Sequence, residues 1–386
     1  MTTATRSRVG DNPFRSKGDV DAAFFCDREE VQQELSTALR SMKSVALSAS
    51  RRYGKSWVMR LTLAQLKRQG FLTAYLDLGY VHSPLQWIEW YLSAVLSAVV
   101  SSPAELFQIF GKYMPSLGVD SVDARPDGYR VRLRGQFTEL EYQRIAQLAY
   151  DLPGRIAKDT KRRFVICLDE FPEIVTFLGK KDLVRWRRQL REAKTVSYLL
   201  ATARPVLNAQ LFENEKAPLR GLVKSIHLGK IPQEKWEEFI LARFKRTGYR
   251  IERPTVAALL KTVECYSYYT QMACWHLWNG HKDTRRIELE DLAGLKDWIL
   301  EHEDHYYEQI WRGLTKPRQS FIAALAAEPS RQVFSADFRI SHRLPAASTL
   351  QAALKYLEED GLVERAEGAI SVTDPFFKEW LRKNVL

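Results

Sequence analysis

The order of elements written in this chain predicts an α/β fold: a parallel sheet flanked by helices, then a helical region, then a small helical module closed by a β-hairpin. Three observations carry that expectation. Short apolar runs at 44–48, 72–78, 163–168, 195–202 and 222–228 alternate with stretches of helical periodicity, and near-continuous apolar strands between helices belong to a sheet covered on both faces. The first run leads into Ala49-Ser-Arg-Arg-Tyr-Gly-Lys-Ser56, a phosphate-loop pattern between a strand and a helix. Beyond Pro232 the strand signals give way to helical ones.

Taken in order, Asp27 and Glu30 stand at capping-box spacing and predict a helix with the apolar stripe Val31, Leu35, Ala38, Leu39 and Met42. The run 44–48 is the first strand, Trp57 to Leu66 the helix after the loop, and Leu72 to Leu78 the second strand. Helices are expected over roughly 84–114 and 136–160, separated by a polar, Gly- and Asp-containing stretch near 117–135. A third strand, Arg163–Leu168, ends in Asp169-Glu170; a basic helix follows, and the runs at 195–202 and 222–228 complete the sheet. Helices over Trp236–Lys245, Thr255–Val263 and Tyr268–Trp278 come next, then a charged connector, His281–Glu303. The last segment reads as helices Arg318–Ala327, Ser335–Leu344 and Ala346–Asp360, stopped by Gly361. Strands Leu362–Arg365 and Ala369–Val372 then pair across a turn at Glu367-Gly368, and three helices with a hairpin make a winged helix. The expected parts are 1–230, 231–304 and 305–386.

Composition narrows the class. With 386 residues, 45% apolar and 27% charged, the chain can bury a sizeable core. Its four cysteines, Cys26, Cys167, Cys265 and Cys274, form no C-x-x-C pair, which argues against a zinc site or a disulfide framework. The polar lead Met1–Gly18 lacks the apolar core of a signal peptide. The most apolar stretch, Trp87–Val100, is too short to span a bilayer and carries Glu89, so a cytoplasmic protein without a membrane partner is expected. The net charge of +11 is uneven. Residues 1–70 hold 13 Lys and Arg against 7 Asp and Glu, and residues 155–225 hold 16 against 8.

The loop predicts chemistry. Backbone N–H groups of residues 49–56 would cradle a triphosphate at a helix start, with Ala49, Ser50, Arg51, Arg52, Tyr53, Gly54, Lys55, Ser56 and Trp57 around it. Lys55 would supply a charge to the β- and γ-phosphates, and Ser56 a hydroxyl to Mg²⁺. Phe164-Val-Ile-Cys-Leu-Asp169-Glu170 places two carboxylates at the end of a buried strand. Asp169 would hold the Mg²⁺ shell, and Glu170 would polarise an attacking water. Lys180, Lys181, Arg185, Arg187, Arg188 and Arg191 surround Trp186 on one helix, either a footprint for phosphate backbones or a solvated face. In the third helix of the winged helix, Gln351 and Lys355 are followed by Glu358, Glu359 and Asp360. A near-neutral module gains little from counterion release. Docking of a protein partner or contacts between subunits are therefore expected there, and any duplex DNA is expected on the 155–225 block without sequence preference.

Asn12-Pro13-Phe14, Phe25 with Arg28, Arg51-Arg52-Tyr53-Gly54-Lys55-Ser56 and Leu168-Asp169-Glu170-Phe171 together resemble the archaeal-type ATPase family. This branch of the P-loop ATPases lies between the AAA+ and STAND groups and is related to replication-origin ATPases. Thr202-Ala203, Arg220, Tyr268-Tyr269-Thr270-Gln271 and Thr373-Asp374-Pro375-Phe376 extend the likeness over nearly the whole chain. The resemblance implies ATP and Mg²⁺, an AAA+-like P-loop core, a helical lid and a winged helix. It implies that Asn12, Phe14, Phe25 and Arg28 border the adenine and that Thr202 is a polar sensor. Arg220 would act as an arginine finger on a neighbouring subunit, hence a homo-oligomer in the ATP state. The chain departs from the pattern at Cys265-Tyr266-Ser267, where the family often has Gly-His-Pro, and at the bulky Trp57. The expected protein is an ATP-hydrolysing switch; the alternative is a nucleotide-gated scaffold with little turnover that grips a protein partner.

Overall fold

The computed structural model describes residues 11–15, 24–126, 128–192, 194–366 and 368–386, without the side chains at 180, 181 and 366. Most of the lead Met1–Gly18 and the turn residue Glu367 lie outside the described residues.

In the first part the chain runs α1 (Glu29–Arg40), β1 (Val45–Ala49), α2 (Lys55–Arg68), β2 (Leu72–Asp77), α3 (Pro84–Ser97) and α4 (Pro103–Tyr113). It continues with β3 (Val119–Arg125), β4 (Gly128–Leu133), α5 (Glu139–Thr160), β5 (Phe164–Asp169), α6 (Glu173–Leu178) and α7 (Lys180–Glu192). β6 (Val196–Thr202), α8 (Pro205–Asn208) and β7 (Lys224–Leu228) close it. Every residue of β1, β5 and β6 is buried, as their unbroken apolar runs require. The five long strands form one parallel sheet in the order β2-β5-β6-β1-β7. α1 and α2 cover one face with Leu35, Leu39, Val58, Met59 and Leu66. α3, α5 and α7 cover the other with Trp87, Tyr91, Ile156 and Trp186. Burying each such side chain contributes roughly 1.5–3 kcal/mol.

The second part is α9 (Gln233–Arg246), β8 (Arg250–Ile251), α10 (Arg253–Val263), α11 (Ser267–Gly280), β9 (Arg286–Ile287) and α12 (Leu295–Gly313). The third is α13 (Lys316–Ala327), α14 (Ala336–Ser341), α15 (Ala347–Glu359), β10 (Val363–Ala366), β11 (Ala369–Val372) and α16 (Pro375–Asn384). One continuous apolar cluster, reaching from Phe14 through Trp236 and Tyr269 to Phe376 and Leu381, serves both parts.

Four expectations are corrected. Asp27 does not cap α1: it sits at φ +42°, Arg28 takes the cap position, and the Arg28 N–H goes to Glu29 Oε2 at 2.9 Å. The single helix over 84–114 is two, because Pro103 cannot continue a helix and Ser102 caps a new one, accepting from the Glu105 N–H at 3.2 Å.

The polar stretch 117–135 is an antiparallel hairpin, β3 with β4, laid on α3. Glu89, Ser93 and Ser97, spaced by four on one face of α3, accept the N–H groups of Leu133, Val131 and Tyr129, each at 2.8 Å. A helix face thus satisfies the edge of β4 that a further strand would otherwise pair. The sequence signal was weak because, apart from the buried Val131 and Leu133, the two strands are half-buried or exposed. Finally, the connector 281–303 is half helix: α12 begins at Leu295 and runs through the expected boundary at 304/305 without a break.

Candidate nucleotide site

The parallel register brings the ends of the strands into line. Asp77 of β2 pairs with Asp169 of β5, and Ser48 of β1 with Thr202 of β6. Ligand sites in open α/β sheets lie outside these carboxyl ends. Here a cleft of about 860 Å³ is found there, walled by residues 50–57, by Asp77, Asp169 and Glu170, by Tyr268 and Gln271 of α11, and by His302, Glu303, His305 and Tyr306 of α12.

The loop is bent by left-handed residues. Gly54, at φ +90°, is the N-cap of α2, and Arg52 sits at φ +71°. Glycine takes the first conformation without strain; the arginine is held in the second by its partners. Lys55 opens α2 and is buried. Its Nζ donates to Asp169 Oδ1 and, at 3.1 Å, to Glu170 Oε1. Burial alone would lower the Lys55 pKa, but the charges and hydrogen bonds of Asp169 and Glu170 outweigh it and raise the pKa above its ordinary value. The Tyr75 hydroxyl donates to Asp169 Oδ2 at 3.1 Å. Burial pushes the Asp77 carboxyl up, with Asp169 and Glu170 adding to it, while the Gly79 N–H pulls the other way.

Glu170, at φ +51°, is the most heavily engaged group. Besides Lys55 it accepts from Thr202 Oγ1 at 3.3 Å and from the Ala203 N–H at 3.1 Å, and Arg204 Nε lies 3.7 Å away. Thr202, the expected sensor, therefore touches the carboxylate at this site. Arg204 also donates to Glu173.

The two loop arginines reach across to the C-terminal parts. Arg51 donates to the Tyr306 hydroxyl at 3.3 Å and to Asp360 Oδ2 at 3.3 Å. Arg52 donates to Glu303 Oε2 at 2.5 Å, with its guanidinium 4.1 Å from the Tyr268 ring centre and 4.5 Å from that of Tyr306.

At the other end of the cleft, Phe24, Phe25, Cys26, Ile231 and Trp236 form an apolar wall. Burial, helped by Asp27 and Glu29, pushes the Cys26 thiol up to about 12, so it stays protonated. Arg28 lines the same end, but its guanidinium is committed to the carbonyls of Gly229, at 2.7 Å, and Tyr53, at 3.3 Å.

Of the residues singled out in the sequence, Phe25, Arg28, Ser50 to Trp57, Asp169 and Glu170 converge on the cleft. Ala49 ends β1, buried, and is not part of its wall. Neither are Asn12 and Phe14: the Asn12 amide donates to the Trp275 carbonyl, and Phe14 packs on Phe239 and Phe244 of α9. They anchor the lead to α9 and α11. Arg220 is exposed and away from the cleft wall.

On α7, Arg187, Arg188 and Arg191 are exposed, whereas Arg185 is paired with Asp182 at 2.6 Å. The side chains of Lys180 and Lys181 lie outside the description. Trp186 corrects the reading of a Trp-bearing footprint: it is fully buried, edge-on to Phe171, Tyr150 and Tyr198.

Asp77, Tyr75, Arg204, Glu303, Tyr306 and Asp360 were not singled out as site residues from sequence. Asp77 carried a usable signal, an acid closing an apolar run as Asp169 does; the others are assembled by tertiary contacts.

The donor set suits magnesium. Among the described residues there is no group of three or more His, Cys, Asp or Glu side chains able to hold a metal ion. A serine hydroxyl lining the same cleft as strand-end carboxylates is the sparse set Mg²⁺ takes when phosphates and waters complete its shell.

The fold is shared with known P-loop ATPases. A Walker-type ATPase of Pyrococcus abyssi superposes with a TM-score of 0.67 at 15% identity, over 95% of this chain and 98% of that one. The ORC2 protein of Aeropyrum pernix, solved in ADPNP–ADP complexes, matches at 0.54 and 14%, over 94% and 96%. The ORC1 protein of Aeropyrum pernix, in complex with DNA, matches at 0.52 and 13%, over 93% of each. The family described as "Probable winged helix domain" matches residues 305–383. No curated protein matches the sequence. Among the described residues no helix is long and apolar enough to cross a membrane.

Proposed function

We propose that this protein, whose α/β core carries the fold of Walker-type ATPases and whose C-terminal part is a winged helix, is a Mg²⁺-dependent ATPase that works as an oligomerising switch. One observation carries the reading: Lys55, Asp169 and Glu170 meet at the mouth of the phosphate loop, 3.1 Å separating the ammonium from the Glu170 carboxylate. The loop N–H groups and Lys55 bind the triphosphate, and Ser56 and Asp169 would hold magnesium, which supplies charge neutralisation between the phosphates. Lys55 must exchange its carboxylate partners for phosphate oxygens. Glu170 is thereby relieved of one of its donors and becomes available to orient a water. Phe25, Ile231 and Trp236 offer the base an apolar wall, and Arg220, exposed and outside its own cleft, is available to a neighbouring copy in the ATP state. The exposed arginines of α7 support contact with duplex DNA through phosphates, as does the solved complex of ORC1 with DNA.

A second reading has its own support. With Lys55, Thr202 and Ala203 all donating to Glu170, its oxygens are occupied by the protein's own donors as it stands, which favours a nucleotide-gated scaffold with slow turnover and a protein partner. Phosphate release by wild type and Glu170→Gln, with and without duplex DNA, separates them. The ATPase reading expects a loss of about 10²-fold or more in the variant with nucleotide affinity retained. Equal rates would remove Glu170 from the chemistry.

A further inference from the structure

The acidic end of α15 turns inward. Glu358 accepts from Arg365 of β10 at 2.6 Å and Glu359 from the Gln210 amide at 3.1 Å. Asp360 reaches Arg51, which lines the cleft. Its Oδ2 and its carbonyl oxygen each take Arg51 at 3.3 Å, and its Oδ1 stands 3.9 Å from Arg204. Gly361, at φ +70°, approaches the strand end so closely that a Cβ there would lie 3.3 Å from the Ala203 carbonyl oxygen. The winged helix is thus seated on the phosphate loop and on the segment that follows β6, the two pieces of backbone that hold Lys55 and Glu170.

Arg204 is the link between them, standing 3.7 Å from the Glu170 carboxylate on one side and 3.9 Å from Asp360 on the other. A chain of alternating charge therefore runs from the loop to the base: Arg51, Asp360, Arg204, Glu170.

We infer that Asp360 is a positioning residue of the ATPase site, lent by the winged helix, and that its seating restrains turnover. The inference rests on the ATPase reading above. While Asp360 is in place, the charges of Arg51 and Arg204 are matched by carboxylates, and Arg204 stays beside Glu170. A guanidinium already paired in this way adds little at a neighbouring anion; released, it is a strong, forked donor to phosphate oxygens. Unseating the winged helix takes from Arg51 its carboxylate partner at the loop, and leaves Arg204 to Glu173 and Glu170 alone. The coupling acts in both directions, so a nucleotide that draws Arg51 or Arg204 to its phosphates weakens the hold on the winged helix.

Phosphate release at varied ATP, with ADP affinity by calorimetry, on wild type, Asp360→Asn, Asp360→Glu and Glu358→Gln tests this. Asp360→Asn is expected to raise kcat about fivefold or more and to bind ADP more tightly, with an unchanged melting temperature. Asp360→Glu restores the carboxylate and returns both values toward wild type. Glu358→Gln, whose partner is on the winged helix itself, behaves as wild type. Gly361→Ala, which crowds the Ala203 carbonyl, accelerates turnover in the same direction and serves as the second variant. A wild type that turns over with Asp360→Asn at the same rate or slower overturns this inference alone. A wild type that neither binds nor hydrolyses ATP overturns the ATPase reading and this inference together.

Discussion

Arg52 of the phosphate loop and Glu303 of α12 meet at 2.5 Å, across 251 positions of sequence. Glu303 is 4% exposed, its other oxygen receives the Tyr268 hydroxyl at 2.6 Å, and the Tyr268 N–H is bonded to the Arg52 carbonyl. The loop is therefore fastened to α11 and α12 at the same place. Removing one partner leaves a buried charge uncompensated. Glu303→Ala is expected to lower stability by about 3 kcal/mol and to weaken nucleotide binding, since Arg52 loses the anchor of its left-handed backbone. Urea titration and calorimetry on the same protein check both effects.

Lys55→Met should weaken ADP binding tenfold to a hundredfold, the worth of a charge-assisted hydrogen bond of about 1.5–3 kcal/mol. The same residue has a pH signature. Burial works against the ammonium, but Asp169 and Glu170 raise its pKa above 10.5 in the folded chain. The pair's contribution is fully present below that ordinary value and is lost as pH rises through the folded one. Urea midpoints of wild type and Lys55→Met, compared from about pH 9 to 12, should therefore converge at the alkaline end.

Trp186→Ala is expected to cost about 3–5 kcal/mol, the range for deleting a large ring from a core. Its indole is packed against Phe171, Tyr150 and Tyr198 at 5.2–5.4 Å between ring centres. Denaturant unfolding measures this. A change of less than about 1 kcal/mol would show that the ring does not hold α7 to the sheet.

Reversing Arg187 and Arg188 to Glu tests the basic surface apart from the fold, because both side chains are exposed. Duplex DNA retention should fall uniformly across sequences, and the slope of log affinity against log salt should flatten by about 2. Retention indifferent to salt in the wild type would rule out a phosphate footprint on α7.

The sheet was legible because β1, β5 and β6 are buried on both faces, which leaves an unbroken apolar run in each. The phosphate loop and Asp169-Glu170 were legible because their chemistry needs those residue types in adjacent positions. The hairpin β3–β4 was not, since its inner edge is satisfied by Glu89, Ser93 and Ser97 rather than by another strand, and nothing in 117–135 announces that. Glu303, Tyr306 and Asp360 were equally silent: as sequence they are ordinary acids and an aromatic on helices, and only packing brings them to the loop. Trp186 misled for a related reason, because a basic helix can turn its one indole inward while its arginines remain in water.

The apolar cluster that runs from Phe14 to Leu381 belongs to the helices α9–α12 and to the winged helix at once. Heat or denaturant should accordingly dismantle these two parts in one cooperative step rather than one after the other. A fragment ending before α12 would expose half of that shared interior to solvent and strip Arg52 of its counter-charge. Proteolytic trimming of the tail is thus a way to destroy the cleft, not to isolate it.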